Sequence, residues 1–228
     1  MLSSENGEQR FRHVDFAVAA FVTVIIVSNI ASSAKIVDLG FSLFGIGFAF
    51  DGGTLLFPFS YVIGDVITEV YGFRAARRAI WTGFAAAAFT ALVFFLLGIL
   101  PPEAMWEAEN SGTDAYSKIL GGMSSGGIVL ASLAAFLAGE FSNSAILSKI
   151  KILMKGRHLW VRTISSSLVG EFLDSLVFVG IATLAGVFPR EIFLSLLITN
   201  YVLKCLIEAA VTPLTYLTVR KLKKAEGL

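Results

Sequence analysis

The chain has 228 residues, of which 56% are hydrophobic and only 15% charged, with a formal net charge of +1 and a mean hydropathy of +0.78. A soluble domain carries about 25% charged residues, so a soluble fold is excluded, and the near-neutral balance gives no footing for direct nucleic-acid binding. The single cysteine, Cys205, sits in an apolar run, which leaves neither a disulfide framework nor a metal-cluster spacing.

The first ten residues are polar, and the apolar run after them is too long for the core of a signal peptide. A bilayer core of about 30 Å needs roughly 20 mostly apolar helical residues. Six stretches meet that length: residues 16–34, 53–71, 79–100, 127–147, 163–187 and 193–219. They predict an all-α membrane protein of six transmembrane helices, a single integral membrane domain over residues 1–228. The stretch Leu39–Phe50 is apolar but short and holds Gly40, Gly45 and Gly47, which predicts an interfacial or re-entrant hairpin.

Basic residues set the orientation, because cytoplasmic connections are enriched in Lys and Arg. Arg10 and Arg12 precede the first span, Arg74, Arg77 and Arg78 follow the second, and Lys149, Lys151, Lys155, Arg157 and Arg162 follow the fourth. Arg220, Lys221, Lys223 and Lys224 close the chain. The opposite side holds Lys35, Lys118 and Arg190, and its long loop 101–126 is acidic. Both termini are therefore expected in the cytoplasm, with the chain in the plasma (bacterial inner) membrane.

An internal echo divides the chain. Ser28-Asn29 stands six residues before Lys35 at the end of the first span, and Ser142-Asn143 six residues before Lys149 at the end of the fourth. Gly64-Asp65 in the second span is loosely matched by Gly170-Glu171 in the fifth. Three spans per half is an odd number, so the halves would form a 3+3 inverted-topology repeat, a design of secondary transporters with the site near the midplane.

Ionisable groups at bilayer depth cost about 2.5–3.5 kcal/mol each on insertion scales and usually face a cavity or a partner. Seven lie inside the spans: Asp65, Glu69, Glu140, Glu171, Asp174, Lys204 and Glu208. Asp65 and Glu69, Glu140 and Asn143, Glu171 and Asp174, and Asn200 and Lys204 are three or four residues apart, so each pair shares a helix face. Six carboxylates against one ammonium exceed what structural pairing requires and predict a polar central cavity. Pro58 is expected to kink the second helix beside that cavity, and Pro213 the sixth near its inner end.

Enzyme signals fail. Gly122-Met123-Ser124-Ser125-Gly126 fits a nucleophile-elbow pattern, but that pattern needs a strand-to-helix turn and a histidine; His13 and His158 fall on the other side. Val62 stands where an intramembrane aspartyl protease motif around Gly64-Asp65 needs a glycine. The chain has no zinc-protease or phosphate-loop signature, so it is expected to be no enzyme and to carry no cofactor.

The run Phe57-Pro58-Phe59-Ser60-Tyr61-Val62-Ile63-Gly64-Asp65-Val66-Ile67-Thr68-Glu69-Val70-Tyr71-Gly72, followed by Ala76-Arg77-Arg78, resembles the signature of the queuosine precursor transporters, in the vitamin uptake transporter group. Ser28-Asn29, Gly170, Asp174 and Lys204 support it, and the resemblance covers roughly residues 15–222. It implies import of 7-deazaguanine precursors of a modified tRNA nucleoside, with Asn29, Asp65, Asp174 and Lys204 at matching positions. A carboxylate can accept the N–H edge of such a base while Asn or Lys donates to its O6. Phe57 and Tyr61 offer stacking faces. The expected substrate site is thus Asp65, Asp174, Lys204, Asn29, Glu69, Glu140, Asn143, Glu171, Asn200, Tyr61 and Phe57. The expected partners are a small nucleobase-like substrate and the lipid bilayer, and the apolar third span offers a homodimer face. The alternative is a membrane-embedded substrate-binding subunit for a vitamin-like molecule, working with a separate ATP-driven module.

Overall fold

The computed structural model describes residues 11–43, 46–124, 126–186 and 190–228; Arg10, Gly45, Ser125 and Val187 of the sequence reading lie outside them. In chain order the elements are α1 (Val14–Ala34), strands β1 (Ile36–Leu43) and β2 (Ile46–Asp51), a 3-10 turn (Gly52–Leu55), α2 (Phe57–Tyr71) and α3 (Phe73–Ile99). Two short helices follow, α4 (Ala104–Asn110) and α5 (Gly112–Ser124), then α6 (Gly126–Leu153), α7 (Leu159–Leu184), a second 3-10 turn (Arg190–Ile192) and α8 (Phe193–Glu226). Among the described residues six helices, α1, α2, α3, α6, α7 and α8, are long and apolar enough to cross a membrane.

The fold is helical as expected, and the stretch expected as a hairpin is an antiparallel β-ribbon pairing Val37 with Phe50 and Asp38 with Ala49; ladder bonds satisfy backbone groups that a short irregular loop would leave open. Three features depart from expectation. The long loop holds α4 and α5, and Glu103 caps α4 by accepting from the N–H groups of Met105 and Trp106 at 3.0 and 2.8 Å. Helices α3, α6, α7 and α8 outrun their apolar spans and carry Arg77, Lys151, Arg162 and Lys223 within the helix, since nothing in helix geometry stops at a membrane boundary and long basic side chains snorkel. Pro58 sits in the first turn of α2, where a missing N–H costs nothing and no kink is imposed. Pro213 does lie inside α8.

Core packing ties α1, α2, α3 and α6 together through Phe21, Ile67, Ile80 and Phe136, with the rings of Phe21 and Phe136 6.1 Å apart. Exposed apolar side chains run along α3, where Phe89, Leu92, Phe95, Leu96 and Ile99 point outward, and along α8 at Leu194, Ile198, Val202 and Leu206. Helices α6 and α7 cross at Gly139 and Gly170. A Cβ on Gly170 would stand 2.8 Å from Asn143 Cβ, 2.9 Å from Tyr61 Cε1 and 3.0 Å from the Gly139 carbonyl. Small residues at such crossings let backbones approach. Gly170→Ala is therefore expected to cost about 1–3 kcal/mol, the usual range for overpacking, whereas Gly180→Ala, which meets nothing within 4 Å, should cost none. Thermal unfolding in detergent checks this; equal midpoints would contradict the crossing.

Candidate functional site

A cavity of about 340 Å³ lies in the half of the bundle nearer the β-ribbon, within the roughly 300–1,000 Å³ range of small-molecule sites. The C-terminal end of α1 contributes Asn29, Ser32 and Ser33, α2 its first residue Phe57, α7 Asp174 and Phe178, and α8 Leu196, Asn200 and Lys204. Apolar walls come from Ile128, Val129 and Leu133 of α6 and from Phe50.

The polar groups on the wall are specific. Lys204 Nζ donates to Asp174 Oδ2 and lies 5.2 Å from the centroid of the Phe57 ring, so a buried ion pair rests against an aromatic face. Asn29 donates to the Ile25 carbonyl at 2.8 Å and accepts from Ser132 Oγ at 2.7 Å, which fixes the amide across α1 and α6. Asn200 carries a buried side-chain oxygen with no hydrogen bond among the described residues; such an acceptor suits an N–H donor on a ligand.

Sequence reasoning missed Asp51, Ser32, Ser132 and Lys118, all on this wall. Asp51 ends β2 and caps the 3-10 turn, accepting from Thr54 N at 3.2 Å, Thr54 Oγ1 at 2.8 Å and Ser32 Oγ. It thereby pins the ribbon to α1. Lys118 of α5 pairs with Asp114 and stands at the cavity rim. The capping pattern Asp51-x-x-Thr54 was a readable signal, but Asp51 itself stood just outside the second apolar span.

Of the eleven expected site residues, five line the cavity: Asn29, Phe57, Asp174, Asn200 and Lys204. Asp65 is eight residues beyond Phe57, about 12 Å farther along the helix, and is buried with Asn143 Nδ2 donating to it at 2.8 Å. Asn143 in turn accepts from Ser167 Oγ at 3.4 Å. Glu140 accepts from Ser60 Oγ at 2.9 Å, and Glu171 lies against Cys205 and Glu208 of α8. Tyr61 packs into the α6–α7 crossing beside Gly139 and Gly170. These side chains pack behind the cavity wall around the α6–α7 crossing, with Glu171 three residues before Asp174 along α7.

Glu69 is farther along α2 and belongs to a different structure. Its carboxylate accepts from Arg162 Nη1 at 2.8 Å and Lys223 Nζ at 2.6 Å, with Lys151 Nζ 3.6 Å away. This cluster joins the far ends of α2, α6, α7 and α8. Beside it Glu226 accepts from the N–H groups of Arg12 and His13 at 2.9 and 2.8 Å and from the Tyr71 hydroxyl at 3.2 Å. The described start of the chain and the end of α8 therefore meet on one side, opposite the ribbon, and that side is sealed by ion pairs.

Residues 51–218 match a family model described as "Putative vitamin uptake transporter". The chain belongs to this family. The match begins at Asp51 and takes in Phe57, Asp174, Asn200 and Lys204, while Asn29 precedes it. The chain is 28% identical over 167 residues to a "Probable queuosine precursor transporter" of Bacillus subtilis, covering 72% of this chain and 69% of that protein. It is 26% identical over 130 residues to a protein of the same description from Haemophilus influenzae, covering 57% of this chain and half of that protein's length. No solved structure matches the chain. Membership of the vitamin uptake transporter family, together with six membrane-length apolar helices, makes this a multi-pass membrane transport protein of a small molecule.

Proposed function

We propose that the chain imports 7-deazaguanine precursors of queuosine and binds them in the ribbon-side cavity. The Asp174–Lys204 pair on the wall carries the reading. A guanine-like edge can exchange its N–H groups onto Asp174 while O6 takes a donor from Lys204, its rings lie against Phe57, and Asn200 supplies the unpartnered acceptor. The names of the two bacterial relatives support the substrate class. Nothing in the fold favours the ATP-driven alternative. Binding of a labelled 7-deazaguanine base to the purified protein tests the site. Asn200→Leu should weaken it up to about 10-fold, the effect of one lost hydrogen bond, and undiminished affinity would move the ligand elsewhere.

The chain sits in the plasma membrane with both ends cytoplasmic. Fourteen of its eighteen basic residues fall on the side of the termini, and the contact of Glu226 with Arg12 and His13 places the described ends together. Import then starts from a cavity open toward the outside, and the Glu69 cluster is the inner seal. In a Cys205→Ser background, a cysteine at Asn110 should react with an impermeant maleimide in intact cells, and one at Lys155 only after permeabilisation. The reverse pattern would invert the topology. The single domain over residues 1–228 and its 3+3 inverted repeat belong to the same proposal, supported by the paired Asn29 and Asn143 motifs. Superposing α1–α3 on α6–α8 should match helix positions, and unrelated arrangements would count against the repeat.

A further inference from the structure

We propose that the chain moves its substrate together with a proton, held in a buried carboxylate network whose shared member is Glu208. This rests on the import reading above and adds its driving force. Behind the Asp174–Lys204 pair, four helices each bury an acid: Asp65 of α2, Glu140 of α6, Glu171 of α7 and Glu208 of α8. The titratable or charged groups that act on one another there are Tyr61, Asp65 and Glu69 from α2, Glu140 from α6, Glu171 and Asp174 from α7, and Lys204, Cys205 and Glu208 from α8. Glu208 shares a small pocket with Ser167, Glu171 and Cys205; Ser167 donates to Asn143, which donates to Asp65, and Glu140 lies against Gly64 beside Asp65.

Cations do not balance this network. Lys204 reaches Glu171 but is already held by Asp174, and the three cations below are held by Glu69. Among the described residues none of the four acids has an ion-pair partner. Ionised carboxylates left uncompensated in a low-dielectric interior are neutralised instead, and a proton is the counter-ion that four such acids can share. A second observation connects the network to the cavity. Tyr61 is 2% exposed, its hydroxyl makes no hydrogen bond among the described residues, and it lies against Gly139, where a Cβ would stand 2.8 Å from Asp174 Cβ. One oxygen each of Glu140 and Glu208 is likewise buried without a partner. A proton entering through the cavity is taken up by the Tyr61 hydroxyl as that hydroxyl releases its own to a carboxylate of the network, and the new O–H bond breaks as the inner seal opens, restoring the carboxylate. Nothing is oxidised or reduced.

The test uses the purified full chain in liposomes with a labelled 7-deazaguanine base and, separately, infrared spectroscopy of the carboxylic C=O stretch without substrate. Wild-type protein should accumulate the base several-fold above the outside concentration when the outside is acidic, and only to equality without a gradient. Glu208→Gln should reach equality in both conditions. Accumulation that ignores the pH gradient, or that follows a sodium gradient, overturns the proposal. In the infrared, bilayer-embedded wild type should show a protonated-acid band at neutral pH that Glu208→Gln, or Glu140→Gln if the former fails to insert, diminishes. A spectrum with no such band overturns the proposal whether or not the base is transported. The band together with no uptake supports the proton network and places the failure in the substrate class.

Discussion

Asp174→Asn is expected to remove most uptake while leaving the protein in the membrane. Loss of a hydrogen bond to a charged group costs about 1.5–3 kcal/mol, roughly a 10- to 150-fold loss of affinity. The substitution also leaves Lys204, which is 5% exposed, without its anion. Breaking a buried pair from one side costs about 3–5 kcal/mol, so lower stability could mimic lower function. The double variant Asp174→Asn with Lys204→Met separates the two. Removing both charges should recover much of the thermal stability, because an apolar replacement of a buried pair is often neutral, yet uptake should stay lost. Uptake recovering along with stability would make the pair structural and put the substrate elsewhere.

The second large effect is expected at the Glu69 cluster. Glu69→Gln leaves Arg162, 1% exposed, and two lysines around a neutral amide, and should destabilise the fold by about 3–5 kcal/mol. Lys223→Met removes one half-exposed cation from the same carboxylate and should cost under about 1 kcal/mol. Denaturation in detergent compares them. As a seal, the cluster should also control access: a cysteine at Ser167 should become reactive from the terminal side in Glu69→Gln and not in the parent. Similar stability for the two variants, with Ser167 still protected, would reduce the cluster to surface pairing.

The six spans were legible because roughly 20 apolar residues per crossing is a length no other structure here requires. The functional side chains were legible as a set, since a charge at bilayer depth is too costly to be incidental. Their division was not. Asp65, Glu69 and Asp174 look alike in sequence, yet the first bonds Asn143, the second closes an ion cluster and the third faces the cavity. Depth along α2 relative to α7 decides this, and depth depends on where each helix begins. The ribbon and 3-10 turn start α2 at Phe57, which puts that ring, and not Asp65, at the level of Lys204. Arg162 was counted as a loop charge, but α7 begins before it and carries it into the interior. Asp51 escaped notice because capping residues stand at the edges of apolar runs, where hydropathy is silent.

Uptake of a labelled 7-deazaguanine base into liposomes that contain this protein alone tests the central claim most directly. Time-dependent uptake should appear with wild-type protein, be reduced by excess unlabelled base, and fall at least about 10-fold in Asp174→Asn, in line with the loss of a charged hydrogen bond. Wild-type protein that is folded and correctly inserted, but takes up no more base than empty liposomes, would contradict it.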